Sequence, residues 1–132
     1  ENGVDPHNEH FIIKEYIDNM YTCMCASDLI ITRAGAMTLT ELMAIGRASI
    51  LIPYPYAAEN HQYYNALTLQ NANAGRIIDD KELTGAVLID TVTKLTDDPE
   101  LLKLMSENAA KLSKHDAAGV ILREITDLMG LE

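Results

Sequence analysis

An α/β fold built on a doubly wound parallel sheet is what this sequence predicts, on three observations. Short apolar runs alternate with stretches whose apolar residues recur at helical spacing. The runs Leu29-Ile30-Ile31 and Ile50-Leu51-Ile52 are continuous rather than alternating, the pattern of strands buried on both faces. Glycine and proline punctuate the joins, as at Gly46, Pro53, Gly75 and Pro99. Strands interleaved with amphipathic helices bury both sheet faces only when helices cover each side.

The elements follow in order. Phe11-Ile12-Ile13 reads as a first strand, and Ile17 to Ala26 as a helix. Asp28 to Thr32 is a buried strand, followed by a helix from Thr38 to Gly46 with Leu39, Leu42 and Met43 on one face. Ser49 to Ile52 is the next strand, closed by Pro53 and Pro55. Asn60 is the expected N-cap of a helix through Asn73, which Gly75 ends before Arg76-Ile77-Ile78. Helices from Leu83 to Leu95, Glu100 to Leu112 and Ala117 to Met129 complete the chain, with Asp97-Asp98-Pro99 as the break between the first two.

Composition narrows the function classes. At 132 residues the chain is one domain or a piece of one. Ten basic against twenty acidic residues give a net charge of −10, which argues against a nucleic-acid surface and against direct binding to an anionic membrane. Two cysteines, Cys23 and Cys25, make no disulfide scaffold, so a reducing cytoplasm is expected. They stand two apart on a helix and read as packing residues. No apolar run has the length of a membrane span. No metal-ligand spacing appears, and no metal or cofactor is expected.

Ligands of such sheets bind beyond the carboxyl ends of the strands, where two loops stand out. In Thr32-Arg33-Ala34-Gly35-Ala36-Met37-Thr38, small residues lead into a helix start suited to phosphate. Thr38 and Glu41 also fit a capping box, in which Glu41 serves only its own helix. The second loop, Pro53 to Ala66, gathers Asn60, His61, Gln62 and Asn65 at one helix start. Carboxamides both donate and accept hydrogen bonds, as sugar hydroxyls do. A solvated first turn with an Asn cap explains the same residues, and the two tyrosine pairs read as packing.

Arg33 to Glu41, then Gly46, Pro53 and His61-Gln62-Tyr63-Tyr64-Asn65-Ala66, together with Ile13 to Ile17 and Ala26 to Ile31, resemble the MurG family. Members of that bacterial family transfer N-acetylglucosamine from its UDP donor to lipid I, forming lipid II for peptidoglycan. The resemblance covers roughly residues 10 to 80. It implies a Rossmann-like domain forming the carboxyl-terminal, UDP-sugar-binding part of a two-domain GT-B glycosyltransferase, with residues 1–132 a portion of that domain. It implies that Ile17 offers its main chain to uracil, that Ala36, Met37 and Thr38 face the diphosphate, and that Glu41 accepts from the ribose hydroxyls. His61, Gln62 and Asn65 would surround the sugar, although many members carry glutamine where His61 stands. Arg33 matches the motif without an assigned contact.

The resemblance places the acceptor site and the general base in an amino-terminal half that this chain lacks. None of His7, His10, His61 and His115 is therefore expected to be catalytic, and the chain alone is expected to be inactive. The complete enzyme would sit at the inner face of the cell membrane, held there by the other half. A UDP-sugar epimerase of related fold and a non-catalytic UDP-sugar-binding subunit are the alternatives. The His-Gln-Tyr-Tyr-Asn run disfavours the epimerase.

Overall fold

A computed structural model describes residues 10–114 and 116–130, so His7 and His115 lie outside the described residues. The element order is α1 (Met20–Ala26), β1 (Leu29–Thr32), α2 (Ala36–Ile45), β2 (Ala48–Leu51), α3 (His61–Asn71), β3 (Gly75–Ile77), α4 (Gly85–Thr96), α5 (Pro99–Leu112) and α6 (Ala117–Met129). The strands form one parallel sheet in the order β1-β2-β3, with Ile31 opposite Ile50 and Leu51 opposite Ile77. The predicted α/β class and parallel sheet are therefore present.

Every residue of β2 is buried, because the central strand has helices on both sides. Alternation along it divides the core. Leu51 packs with Leu39, Leu42, Ala66 and Leu69 from α2 and α3. Ala48, Ile50 and Ile52 pack with Ile78, Leu95 and Met105 from the side of α4 and α5. The guanidinium of Arg47 donates to the Cys25 carbonyl and ties the end of α1 to the start of β2. Gly46 ends α2 at φ +62°, a left-handed cap whose amide reaches back to Leu42 and Met43.

The later helices begin as their sequences direct. The Thr84 hydroxyl accepts from Val87 N–H at 3.2 Å, and the Asp98 carboxylate accepts from Leu101 N–H at 3.0 Å, with Pro99 in the first turn.

Several local expectations fail. Phe11-Ile12-Ile13 forms no strand; the three side chains are exposed, Ile12 at 84%. The first helix begins at Met20 rather than Ile17, which leaves Ile17 in the segment before it. The second begins at Ala36 rather than Thr38, because Gly35, extended at ψ 141°, takes the N-cap position. Cys23 is exposed and its thiol points at the Asn19 carboxamide, so it is no packing residue.

Candidate functional site

The carboxyl ends of β1, β2 and β3 open onto three connections: residues 33–35 into α2, 52–60 into α3, and 78–84 into α4. The candidate site is assembled along this edge.

The start of α2 is open. Its first helical hydrogen bond runs from Leu39 N–H to Gly35 O at 3.0 Å, leaving the amides of Ala36, Met37 and Thr38 outside the ladder. No side chain caps them and no acidic residue lies in the first turn, so the positive end of the helix is uncompensated. The capping box expected of Thr38 and Glu41 does not form, since Thr38 lies inside the helix. Glu41 is exposed, and no hydrogen bond or ion pair engages its carboxylate among the described residues. Gly35 is not there for its backbone angles: its φ is −67°, and an added Cβ would meet only Thr38 Oγ1 at 4.0 Å. A side chain there would stand in open space.

The start of α3 follows a strained turn. Glu59 and Asn60 are consecutive non-glycine residues in the left-handed region, at φ 49° and 56°, each costing roughly 1–2 kcal/mol. Asn60 holds the predicted N-cap position, yet its side chain caps nothing. The left-handed backbone turns it away from the helix amides it was expected to serve.

The two carboxamides are each half engaged. Gln62 Oε1 accepts from Tyr54 N–H at 3.0 Å, and Asn65 Nδ2 donates to Ala34 O at 3.3 Å. The NH2 group of Gln62 and the carbonyl oxygen of Asn65 therefore have no hydrogen-bond partner among the described residues. His61 is exposed, its Nδ1 2.8 Å from Ala58 O, which leaves Nε2 facing outward. The tyrosines pair edge to face, Tyr54 with Tyr56 at 5.7 Å and Tyr63 with Tyr64 at 6.2 Å. Tyr54, Tyr56 and Tyr64 are exposed, so these are surface pairs rather than core packing.

Ala36 and Asn65 share a groove of about 190 Å3 between α2 and α3, with Leu39, Thr40, Met43 and Thr68. Glu41 belongs to a separate cavity of about 120 Å3 between α1 and α2, beside Met20, Tyr21 and Met24. Ile17 is half-buried just ahead of α1, on the chain leading to that cavity. In the same region the Cys25 thiol pushes the Tyr21 phenol above its usual value, through a side-chain hydrogen bond first and charge repulsion second. Of the expected ligand residues, Ala36 and Asn65 thus line one groove and Glu41 a separate cavity. Among the described residues no three His, Cys, Asp or Glu side chains converge as a metal site.

Sequence reading missed Asp80. It lies just past β3, and its carboxylate is 2.5 Å from Arg33 Nη1, across 47 positions of sequence. An acidic residue at the carboxyl end of a strand was the only available signal.

A parallel α/β domain with an open helix start and a carboxamide pair beyond its strand ends has the anatomy of a binding domain for phosphorylated ligands. The chain belongs to the family described as glycosyltransferase family 28 C-terminal domain, whose model matches residues 2–121. Over 130 residues it is 41% identical to a Desulforamulus reducens protein named UDP-N-acetylglucosamine--N-acetylmuramyl-(pentapeptide) pyrophosphoryl-undecaprenol N-acetylglucosamine transferase, covering 98% of this chain and 35% of that one. A protein of the same name from a Thermoanaerobacter species is 48% identical over 113 residues, 86% of this chain and 31% of the relative. The crystal structure of Acinetobacter baumannii MurG superposes with a TM-score of 0.79 at 32% identity, over 85% of this chain and 32% of that one. The chain thus spans about a third of the length of the curated relatives it matches.

Proposed function

We propose that this chain is the donor-binding portion of an N-acetylglucosaminyltransferase that moves N-acetylglucosamine from UDP-N-acetylglucosamine to lipid I, forming lipid II. The observation that carries this reading is the uncapped start of α2 behind a glycine whose backbone does not require one. Three free amides at a helix N-terminus suit a diphosphate, which brings its own charge to the dipole. The relatives' names supply the identity of donor and acceptor.

On this reading Ala36, Met37 and Thr38 hold the diphosphate and the Ile17 main chain meets uracil. Glu41 accepts from both ribose hydroxyls, a task for which a carboxylate with no other partner is well placed. The outward NH2 of Gln62 and carbonyl of Asn65 supply a donor and an acceptor to the sugar hydroxyls, with His61 Nε2 beside them. This chain contributes binding and orientation. The acceptor site and the proton-accepting base belong to the part of the enzyme outside it, and so does attachment to the inner face of the membrane, since a domain of charge −10 is repelled by an anionic leaflet. The purified chain should therefore bind donor without turning it over.

The test uses a chimera in which this chain replaces the matching 130 residues of the Desulforamulus reducens relative. Glu41→Gln should lower kcat/KM for UDP-N-acetylglucosamine about ten- to a hundredfold, the scale of hydrogen bonds to a charged group. The melting temperature should stay put, because Glu41 caps nothing. Unchanged donor kinetics would defeat the ribose assignment. A chimera that uses no UDP-sugar would defeat the function itself.

A further inference from the structure

Arg33 has more partners than any other side chain at the sheet edge. Its Nη1 donates to Ile52 O at 3.3 Å and Pro53 O at 3.4 Å, and pairs with Asp80 Oδ1 at 2.5 Å. Its Cζ lies 5.8 Å from the centre of the Tyr54 ring. Arg33 directly follows β1, Ile52 and Pro53 follow β2, and Asp80 follows β3. One planar group therefore joins the ends of all three strands. The strand ladder is running out there: its last links are Ile52 N–H to Thr32 O at 2.9 Å and Ile78 N–H to Leu51 O at 3.0 Å. Beyond them the carbonyls of Ile52 and Pro53 need donors from elsewhere. All three contacts converge on Nη1 while the flat guanidinium lies over the Tyr54 ring, a combination that a lysine ammonium does not reproduce.

These links run on into the candidate site. Pro53 precedes Tyr54, whose amide is held by Gln62, and Arg33 precedes Ala34, whose carbonyl is held by Asn65. The guanidinium thus stands between the loop that starts α2 and the loop that leads to α3. We infer that Arg33, anchored by Asp80, is a positioning residue: it fixes the separation between the open amides of α2 and the carboxamides of α3. It thereby sets how tightly a nucleotide diphosphate-sugar is held, rather than how fast the held donor reacts. The inference rests on the donor-binding reading above.

A direct phosphate contact by Arg33 is the competing role, and Asp80 separates the two. If Arg33 were itself a phosphate ligand, Asp80 would compete with the donor, and Asp80→Asn would tighten binding. If Arg33 positions the loops, Asp80→Asn loosens its anchor and weakens binding.

In the chimera, Arg33→Met should raise the donor KM about tenfold, the lower end for losing charged hydrogen bonds, with kcat nearly unchanged. Arg33→Lys should recover only part of this, because an ammonium keeps the charge but not the planar group over the Tyr54 ring. Asp80→Asn should raise KM by a smaller factor, and the double variant should be no worse than Arg33→Met alone, since both remove one shared interaction. Hydrogen exchange supplies a ligand-free readout: Arg33→Met should speed exchange of the amides of residues 34–37 and 54–57 together and leave α5 unchanged. A lower KM for Asp80→Asn, a purely kcat effect, or unaltered exchange in those two loops would each overturn the inference. Should the unmutated chimera use no UDP-sugar, the functional reading falls and exchange alone still decides whether Arg33 holds the loops.

Discussion

Residues 20–112 and the two segments flanking them carry the same kind of apolar patterning, yet among the described residues only the middle buries it. In the middle, Leu42, Ile50, Leu51, Leu69 and Met105 are almost wholly inaccessible. In the flanks, Phe11, Ile12 and Ile13 stand in solvent, and so do Val120, Ile121, Leu122, Ile125, Leu128 and Met129 of α6. α6 is a regular helix with a left-handed cap at Gly130, but none of its residues is buried. Periodicity determines which face an element offers. Burial depends on whether another element meets that face.

The largest expected effect tests the buried side. Leu42 is fully buried between α2 and its neighbours, so Leu42→Ala should remove about 2–5 kcal/mol of stability, combining lost transfer energy with the cavity left behind. Denaturant unfolding followed by circular dichroism reads this directly. A loss below 1 kcal/mol would mean that the middle is no better packed than the flanks.

Two glycines sharpen the comparison. Gly46 and Gly130 both end helices in the left-handed region, at φ +62° and +64°. A Cβ on Gly46 would lie 3.1 Å from Ala110 Cβ and 3.4 Å from Ser106 O, against α5, whereas one on Gly130 would meet nothing within 4 Å. Gly46→Ala should cost about 1–2 kcal/mol for the backbone alone, with crowding against α5 added. Gly130→Ala frays the end of a helix with no buried residue, so the main unfolding transition should barely move. Equal shifts for the two would show that α6 is coupled to the core.

The same contrast explains what was legible in the sequence. The runs that became β1 and β2 are continuous and apolar, and they lie within one residue of where they were expected. Phe11-Ile12-Ile13 has the same composition and no strand, because apolar runs announce a strand only when another strand pairs with them. At the site, the helix start before Glu41 was visible, but its boundary was displaced by two residues. Thr38-x-x-Glu41 matches a capping box, while Gly35 in an extended conformation takes the cap three residues before the expected first helical residue. Asn60 failed as a cap for a similar reason: residue type favours a cap, and backbone angles decide whether it is made. The link from Arg33 to Asp80 was beyond reach, since it spans two crossovers that periodicity does not describe.

The smallest effect is expected in α6 and is the most informative about the flanks. Leu128 is 86% exposed and Ile121 59%. Truncating either to alanine removes no buried contact, and alanine is at least as good a helix former as either residue. In this chain each variant should change stability by no more than about 0.5 kcal/mol, as surface substitutions do. The apolar side chains of α6 instead create an exposed patch, and contiguous patches of that kind favour association. Leu128→Glu together with Ile121→Glu should therefore leave the unfolding midpoint in place while reducing concentration-dependent self-association in sedimentation velocity. Should Leu128→Ala cost 2 kcal/mol or more, α6 would be packed against the rest of this chain in solution, and the division between a buried middle and open flanks would fail at its carboxyl-terminal end.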